Sequence, residues 1–193
     1  ESVIALKRQV EDQLKSDPNH IFDVELTYIT SRGNWYYASW KGDEEKSGGI
    51  ATNIGVHFFD MLHWIFGPLQ QQKVHARSHD RASGVLRFKN ANVRWFLSIN
   101  AATLPEKVVQ SGGRIHRSLR FDQWSFDFTE GFTELHSRSY AHILNDKGFS
   151  ERDVQPAISI VHGMRESLIS PLDSEAHPLA SLPQDPHPFY PLK

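Results

Sequence analysis

The sequence contains no cysteine. Disulfides, thiolate metal sites and a cysteine nucleophile are therefore excluded, and a reducing compartment, the cytoplasm, is the expected location. No charge of one sign dominates either: 21 Lys and Arg are interspersed with 23 Asp and Glu, for a net charge of −2. Without a broad positive field, neither nucleic acid nor an anionic membrane is an expected partner. No apolar run approaches the ~20 residues that a membrane-spanning helix needs, and no basic-then-apolar leader opens the chain. Neither a membrane span nor secretion is expected. What is present is ordinary: 193 residues, 39% of them hydrophobic, enough for one domain with a real core.

The organisation reads from periodicity. Val3, Leu6, Val10 and Leu14 recur at helical spacing over residues 2–14. Asp17-Pro18-Asn19-His20 stops that helix, and Phe22, Val24, Leu26 and Tyr28 then alternate with polar residues as in a half-buried strand. Residues 32–46, rich in Trp, Tyr, Gly and charge, read as a long ordered loop or irregular strand leading to a helix that starts at Gly48-Gly49 and ends at Gly67-Pro68. Extended runs follow at 72–79, 84–88, 93–99, 116–121 and 124–128, and short turns between them imply antiparallel neighbours. The run 93–99 is apolar on both sides, so both its faces should be covered, one by helices and the other by a second subunit. Two helices are expected at 132–144 and 151–168, the second presenting Val154, Ile158, Val161 and Arg165. The class is α+β with a largely antiparallel, open-faced sheet and helices on one face. The domain division is 1–170, then a Pro-rich arm at 171–193 where six prolines leave little structure of its own.

Chemistry concentrates on the stretch that opens with Gly48-Gly49. At about 100° per residue, Gly49, Asn53, His57 and Asp60 share one face of a single predicted helix, opposite Ala51, Phe58, Met61, Leu62 and Ile65. An i, i+4 pair of Asn and His can place an imidazole for proton transfer while the amide holds a substrate hydroxyl. The same residues also read as a core histidine capped by Asp60. Arg32 and Lys41 are candidate anion-binding cations or solvated loop residues, and Tyr36 and Trp40 either wall a ligand or pack the loop. His75, Arg77, His79 and Arg81 fall on one strand face, and Arg114, His116, Arg117 and Arg120 form a small basic cluster; a wet sheet face and a solvated strand edge are the readings for each. No metal site is predicted, because His63 turns away from His57 and Asp60.

Several long motifs occur in order: Thr27-Tyr28-Ile29-Thr30-Ser31-Arg32-Gly33-Asn34-Trp35-Tyr36, Ser39-Trp40-Lys41-Gly42-Asp43, Lys46-Ser47-Gly48-Gly49 and Thr52-Asn53-Ile54-Gly55-Val56-His57-Phe58-Phe59-Asp60. Further along stand Val93-Arg94-Trp95-Phe96-Leu97-Ser98-Ile99, Leu104-Pro105-Glu106 and Glu130-Gly131-Phe132-Thr133-Glu134-Leu135-His136. Together, over roughly residues 1–168, they resemble the C-terminal domain of the Gfo/Idh/MocA oxidoreductases, a dihydrodipicolinate-reductase-like fold. The resemblance is to the branch of NAD-dependent dehydrogenases that oxidise the 3-hydroxyl of UDP-N-acetylglucosaminuronic acid for bacterial surface polysaccharides. Most of the wider family has Asp where Asn53 stands; Asn orients and hydrogen-bonds but takes no proton.

The resemblance implies that His57 helps remove the hydroxyl proton beside a family lysine, that Asn53 and Asp60 contact the substrate, and that Arg32 and Lys41 meet the uronate or diphosphate while Tyr36 and Trp40 wall the sugar or uracil. It implies NAD in a full-length enzyme, where the cofactor takes the hydride. This chain carries neither the Gly-x-Gly-x-x-Gly turn of a Rossmann domain nor a Glu-Lys-Pro motif. It is therefore expected to be a domain fragment, with no cofactor bound to it and no activity alone. A UDP-sugar substrate and a homo-oligomer, dimer or tetramer through the sheet face, are the expected partners. The rival readings are a free-sugar or inositol dehydrogenase of the same superfamily, and a non-catalytic carbohydrate-binding or scaffold domain.

Overall fold

A computed structural model describes residues 2–122, 124–127 and 135–189. The amphipathic first helix, α1 (Ser2–Ser16), buries Leu6 and Val10 and leads into β1 (Phe22–Thr30). Residues 32–46 differ from the expected loop or strand: they wind into α2 (Trp35–Ala38), a 3-10 turn (Trp40–Gly42) and α3 (Glu44–Ser47). Side-chain caps explain this, because Ser39 Oγ accepts from Lys41 N at 3.3 Å and Asp43 Oδ1 from Glu45 N at 3.1 Å. Next come α4 (Gly49–Asn53) and α5 (Gly55–Phe66), then β2 (Leu69–Arg77), β3 (Arg81–Phe88) and β4 (Ala91–Ser98). A short α6 (Glu106–Gln110) precedes β5 (Ile115–Phe121) and β6 (Trp124–Asp127), and α7 (Leu135–Leu144) and α8 (Glu151–Glu166) follow. Phe128, residues 130–134 of the last motif and the first turn expected from Phe132 lie outside the described residues.

The six strands form one mixed sheet in the order β2-β3-β4-β1-β5-β6. Four of the five pairings are antiparallel, while β1 enters between β4 and β5 and runs parallel to β4, with Leu26 opposite Trp95. A strand's alternation then sets two faces. Toward the helices point Val24, Leu26, Tyr28, Val93, Trp95 and Leu97; Phe59 of α5 meets Trp95 edge-on at 5.2 Å and Phe58 meets Tyr28 at 4.7 Å. Helix α8 lies against α5 and β2. Its buried residues are Ala157, Ile160, Val161 and Met164, not the expected row: Val154 and Ile158 are exposed, because the stripe that meets α5 is rotated from that row and shares with it only Val161.

The second face holds Thr27, Ile29, Ser83, Val85, Phe96 and Ser98, all buried. Much of their cover is the chain's own C-terminal segment, on a face for which the sequence implies a second subunit. Ile169 bridges Val74 at the edge of β2, and the segment then crosses the face. His177 stacks on Phe96 at 5.5 Å and bonds Thr27 Oγ1 through Nε2 at 2.9 Å. Lys73 pairs with Asp173, Arg87 with Glu175, Arg81 donates to Leu182 O at 2.9 Å, and Asn100 donates to Asp185 at 2.6 Å. Beneath these contacts lies a buried pair: Arg81 Nε and a terminal nitrogen grip the two Asp80 oxygens at 3.1 and 2.8 Å. Burial alone would raise the Asp80 pKa, but hydrogen bonds from Arg81, Asn100 and Ser78 outweigh it and hold the carboxyl below its usual range.

The sheet also redistributes the basic residues. A bulge between Val74 and Ala76 breaks the expected single face: His75 turns toward the C-terminal segment, whereas Arg77 donates to Met164 O and Arg165 O, both at 2.8 Å, at the C-terminus of α8. Arg117 lies over the Tyr28 ring at 5.3 Å, on the helical side, while Arg120 pairs with Glu25 on the other.

His177 yields the first prediction. Burial, with the nearby Arg94 and Arg120 charges adding to it, pushes its pKa down to about 3. The folded state holds it neutral, so the stability this provides is complete above the ordinary value near 6.5 and is lost as pH falls from there toward about 3, at up to ~1.4 kcal/mol per pH unit. Urea unfolding across that window should show the slope, and His177→Phe should remove this histidine's share while leaving that of His75 and His79, whose values burial also lowers.

Candidate active site

Asn53 and His57 do not share one helix. The chain breaks at Ile54 (φ −112°, ψ −45°), so Asn53 ends α4 and His57 lies in the first turn of α5. Two glycines permit this. Gly48 takes φ +75° between α3 and α4, a left-handed conformation, and a Cβ there would meet Thr52 Oγ1 at 2.7 Å. Gly55 brings the start of α5 against the sheet, where a Cβ would lie 2.9 Å from a Leu97 methyl and 2.5 Å from the Phe59 ring. The expected apolar side of this stretch is buried at Ala51, Phe58, Leu62 and Ile65, and Met61 packs partly on the same core.

The polar side meets solvent. His57 and Asp60 are exposed, and among the described residues neither has a hydrogen-bond or ion-pair partner, so His57 is not a core histidine capped by Asp60. Asn53 is half-buried and donates Nδ2 to Tyr36 Oη at 3.0 Å. Tyr36 is 3% exposed, so its ring belongs to the core rather than to a ligand wall. Burial raises its pKa, against the hydrogen bond from Asn53 and the charge of Arg32, and the phenol stays protonated. Arg32 is exposed, with its guanidinium 6.0 Å from the Trp35 ring, and Lys41 stands 5.9 Å from the Trp40 ring. Trp35 and Trp40 are each more than half exposed.

The structure thus links Arg32, Trp35, Tyr36 and Asn53, with His57 just beyond the break, and gives Lys41 and Trp40 a separate place on the 3-10 turn. Trp35 was missed by sequence reasoning; its position three residues after Arg32, with α2 starting at it, was the signal. An exposed imidazole, a half-held carboxamide and a guanidinium beside an indole can hold a polyhydroxylated, anionic ligand and accept a proton from it.

A dinucleotide is not accommodated by these residues. Pyrophosphate binding needs a glycine-rich turn between a strand and a long helix. Here Gly48 joins a four-residue helix to a five-residue helix that Gly49 opens, and Gly112 and Gly113 precede β5. No group of three or more His, Asp or Glu among the described residues is placed to hold a metal, and no described helix is long and apolar enough to cross a membrane.

The mixed sheet with helices on one face and an Asn-x-Gly-x-His stretch whose histidine faces solvent match the C-terminal alpha/beta domain of an oxidoreductase family. The chain belongs to the Gfo/Idh/MocA oxidoreductases: the family's C-terminal alpha/beta domain matches residues 19–116. Among solved structures it is similar to the WlbA (WbpB) dehydrogenase of Thermus thermophilus. The complex of that enzyme with NAD and alpha-ketoglutarate has 42% identity over 93% of this chain and 57% of its own, with a TM-score of 0.86. The complex with NAD and UDP-GlcNAcA has 41% identity over 92% of this chain and 56% of its own, with a TM-score of 0.85. A myo-inositol dehydrogenase of Corynebacterium glutamicum shares the fold at 14% identity over 86% of this chain and 58% of its own, with a TM-score of 0.56. The chain therefore spans a little over half the length of these relatives.

Gly48 offers the test of how the site is built. Gly48→Ala should destabilise the chain by at least about 1–2 kcal/mol, since it forces a side chain into the left-handed region against Thr52. Urea unfolding would register this as a lower midpoint at unchanged slope.

Proposed function

We propose that this chain is the substrate-binding and oligomerisation domain of an NAD-dependent dehydrogenase that oxidises the 3-hydroxyl of UDP-N-acetylglucosaminuronic acid. The observation that carries the reading is the 42% identity with the Thermus thermophilus WlbA dehydrogenase across 93% of the chain. It is supported by the exposure of His57 and Arg32 and by the hydrogen bond that ties Asn53 to the buried Tyr36. In this reading His57 helps to remove the hydroxyl proton, beside a lysine of another part of the enzyme, and Asn53 hydrogen-bonds the ring substituents. Arg32 and Lys41, some distance apart in chain and surroundings, meet the uronate and the diphosphate, and the exposed indole of Trp40 lies against a planar group of the ligand. Asp60 accepts from a sugar hydroxyl. NAD would be held by another part of a longer enzyme, so the fragment alone is inactive, and no step through the cofactor is assigned to these residues.

The same reading makes the protein a cytoplasmic participant in bacterial surface polysaccharide biosynthesis. It is a dimer or tetramer, associating through the sheet face that the segment 171–189 partly covers; beside that segment a groove of about 450 Å³, lined by Glu25, His116, Ser118, Arg120 and His177, leaves the β5 side open. Sedimentation at micromolar concentration giving a monomer would remove this part of the proposal.

Calorimetric titration of the chain tests the substrate. UDP-N-acetylglucosaminuronic acid should bind, UDP more weakly, and free N-acetylglucosamine and NAD not at all. Arg32→Ala should weaken the acid sugar at least about tenfold, the effect of losing one charge-assisted contact. Equal binding of the free sugar and the nucleotide sugar would overturn the nucleotide assignment.

A further inference from the structure

Helix α2 is one turn long, yet its residues have sharply different surroundings. Trp35 is exposed; Tyr37 is half-buried, with its ring 5.3 Å from His187 of the C-terminal segment. Between them Tyr36 is buried in the core cluster, and its only polar atom reaches Asn53. A buried ring with two torsions has no freedom to follow a ligand, so the hydroxyl is a fixed point.

Asn53 needs such a point. It ends α4, and the irregular backbone at Ile54 lies directly after it. A terminal carboxamide turns through 180° at little cost, exchanging an acceptor for a donor at the same position. The Tyr36 hydroxyl removes that freedom. Its oxygen accepts from Nδ2 at 3.0 Å. Among the described residues, the carboxamide oxygen is then left without a hydrogen-bond partner.

We propose that Tyr36 is a positioning residue that acts through Asn53: its hydroxyl oxygen holds Nδ2, so that Oδ1 is presented as an acceptor to a hydroxyl or amide N–H of the bound sugar. The ligand in this statement rests on the function proposed above; the contact between the two side chains does not. The residue that orients the sugar is thus itself oriented from the core, and Tyr36 touches no ligand.

Tyr36→Phe keeps the ring and its packing and deletes one oxygen, and near-unchanged thermal unfolding will verify that the variant folds. In a 15N-labelled chain, with the Asn53 side-chain resonances assigned by their loss in Asn53→Ala, Tyr36→Phe should shift both amide protons and speed their exchange with water about tenfold, as expected for a lost hydrogen bond. Unmoved resonances would overturn the proposal.

Titration with UDP-N-acetylglucosaminuronic acid supplies the functional readout. Tyr36→Phe and Asn53→Ala should each weaken binding about fivefold, the loss of one neutral hydrogen bond, and the double variant should bind no worse than Asn53→Ala alone. Additive losses, or wild-type affinity in Tyr36→Phe, would equally overturn it. If the unaltered chain binds no nucleotide sugar, the functional reading fails, and the amide resonances decide the positioning role by themselves.

Discussion

A strand with large side chains on both faces must be covered twice, and the central pair β1 and β4 imposes that condition here. Trp95 and Leu97 project to one side and Phe96 to the other, and all three are fully buried. Burial of apolar surface drives both covers, at roughly 25 cal/mol per Å². Helices α5 and α8 supply the first. The segment after α8 supplies the second, and because it carries few large apolar groups, it is fixed by specific contacts: the His177 ring on Phe96, ion pairs at Lys73 and Arg87, and the Asp80–Arg81–Asn100 network. Exposed ion pairs of that kind contribute little individually. The buried network matters more, since removing one partner would leave a charge with no water to replace it.

The same constraint positions the candidate site. With α5 pinned to the sheet by Phe58, Phe59 and Leu62, its first turn has no choice about where His57 points. Gly55 lets that turn approach Leu97 closely, and the break at Ile54 redirects the chain so that Asn53 meets Tyr36. Asn53 and His57 thus stand on helices whose opposite faces are core, which gives precision without rigid loops. The aromatic stretch between β1 and α3 divides its labour: Tyr36 packs inward, while Trp35 and Trp40 remain outside with a cation near each.

Much of this was legible along the chain. Alternation marked β1, and helical spacing marked α1 and the buried side of α5, because local period and burial coincide in those elements. Residues 32–46 read as a loop or irregular strand, since the caps at Ser39 and Asp43 that make them helical are single side chains in a Gly- and Trp-rich run. The face of α8 was misread for another reason: Val154, Ile158 and Val161 form a credible stripe, and only the location of α5 selects the neighbouring one. His57 as a core residue and His57 as a solvent-facing base were equally consistent with spacing. Its exposure rules out the first.

What the sequence by itself determined is the class of fold, the family and the residue types available for proton transfer and anion binding, because these follow from local periodicity and from motifs that keep their order. What only the tertiary structure decided is which surfaces meet. The parallel entry of β1 beside β4, the folding of the proline-rich segment over the second sheet face and the link from Tyr36 to Asn53 join residues distant along the chain. Such contacts arise from how two-sided burial is satisfied in three dimensions, and no local pattern encodes them.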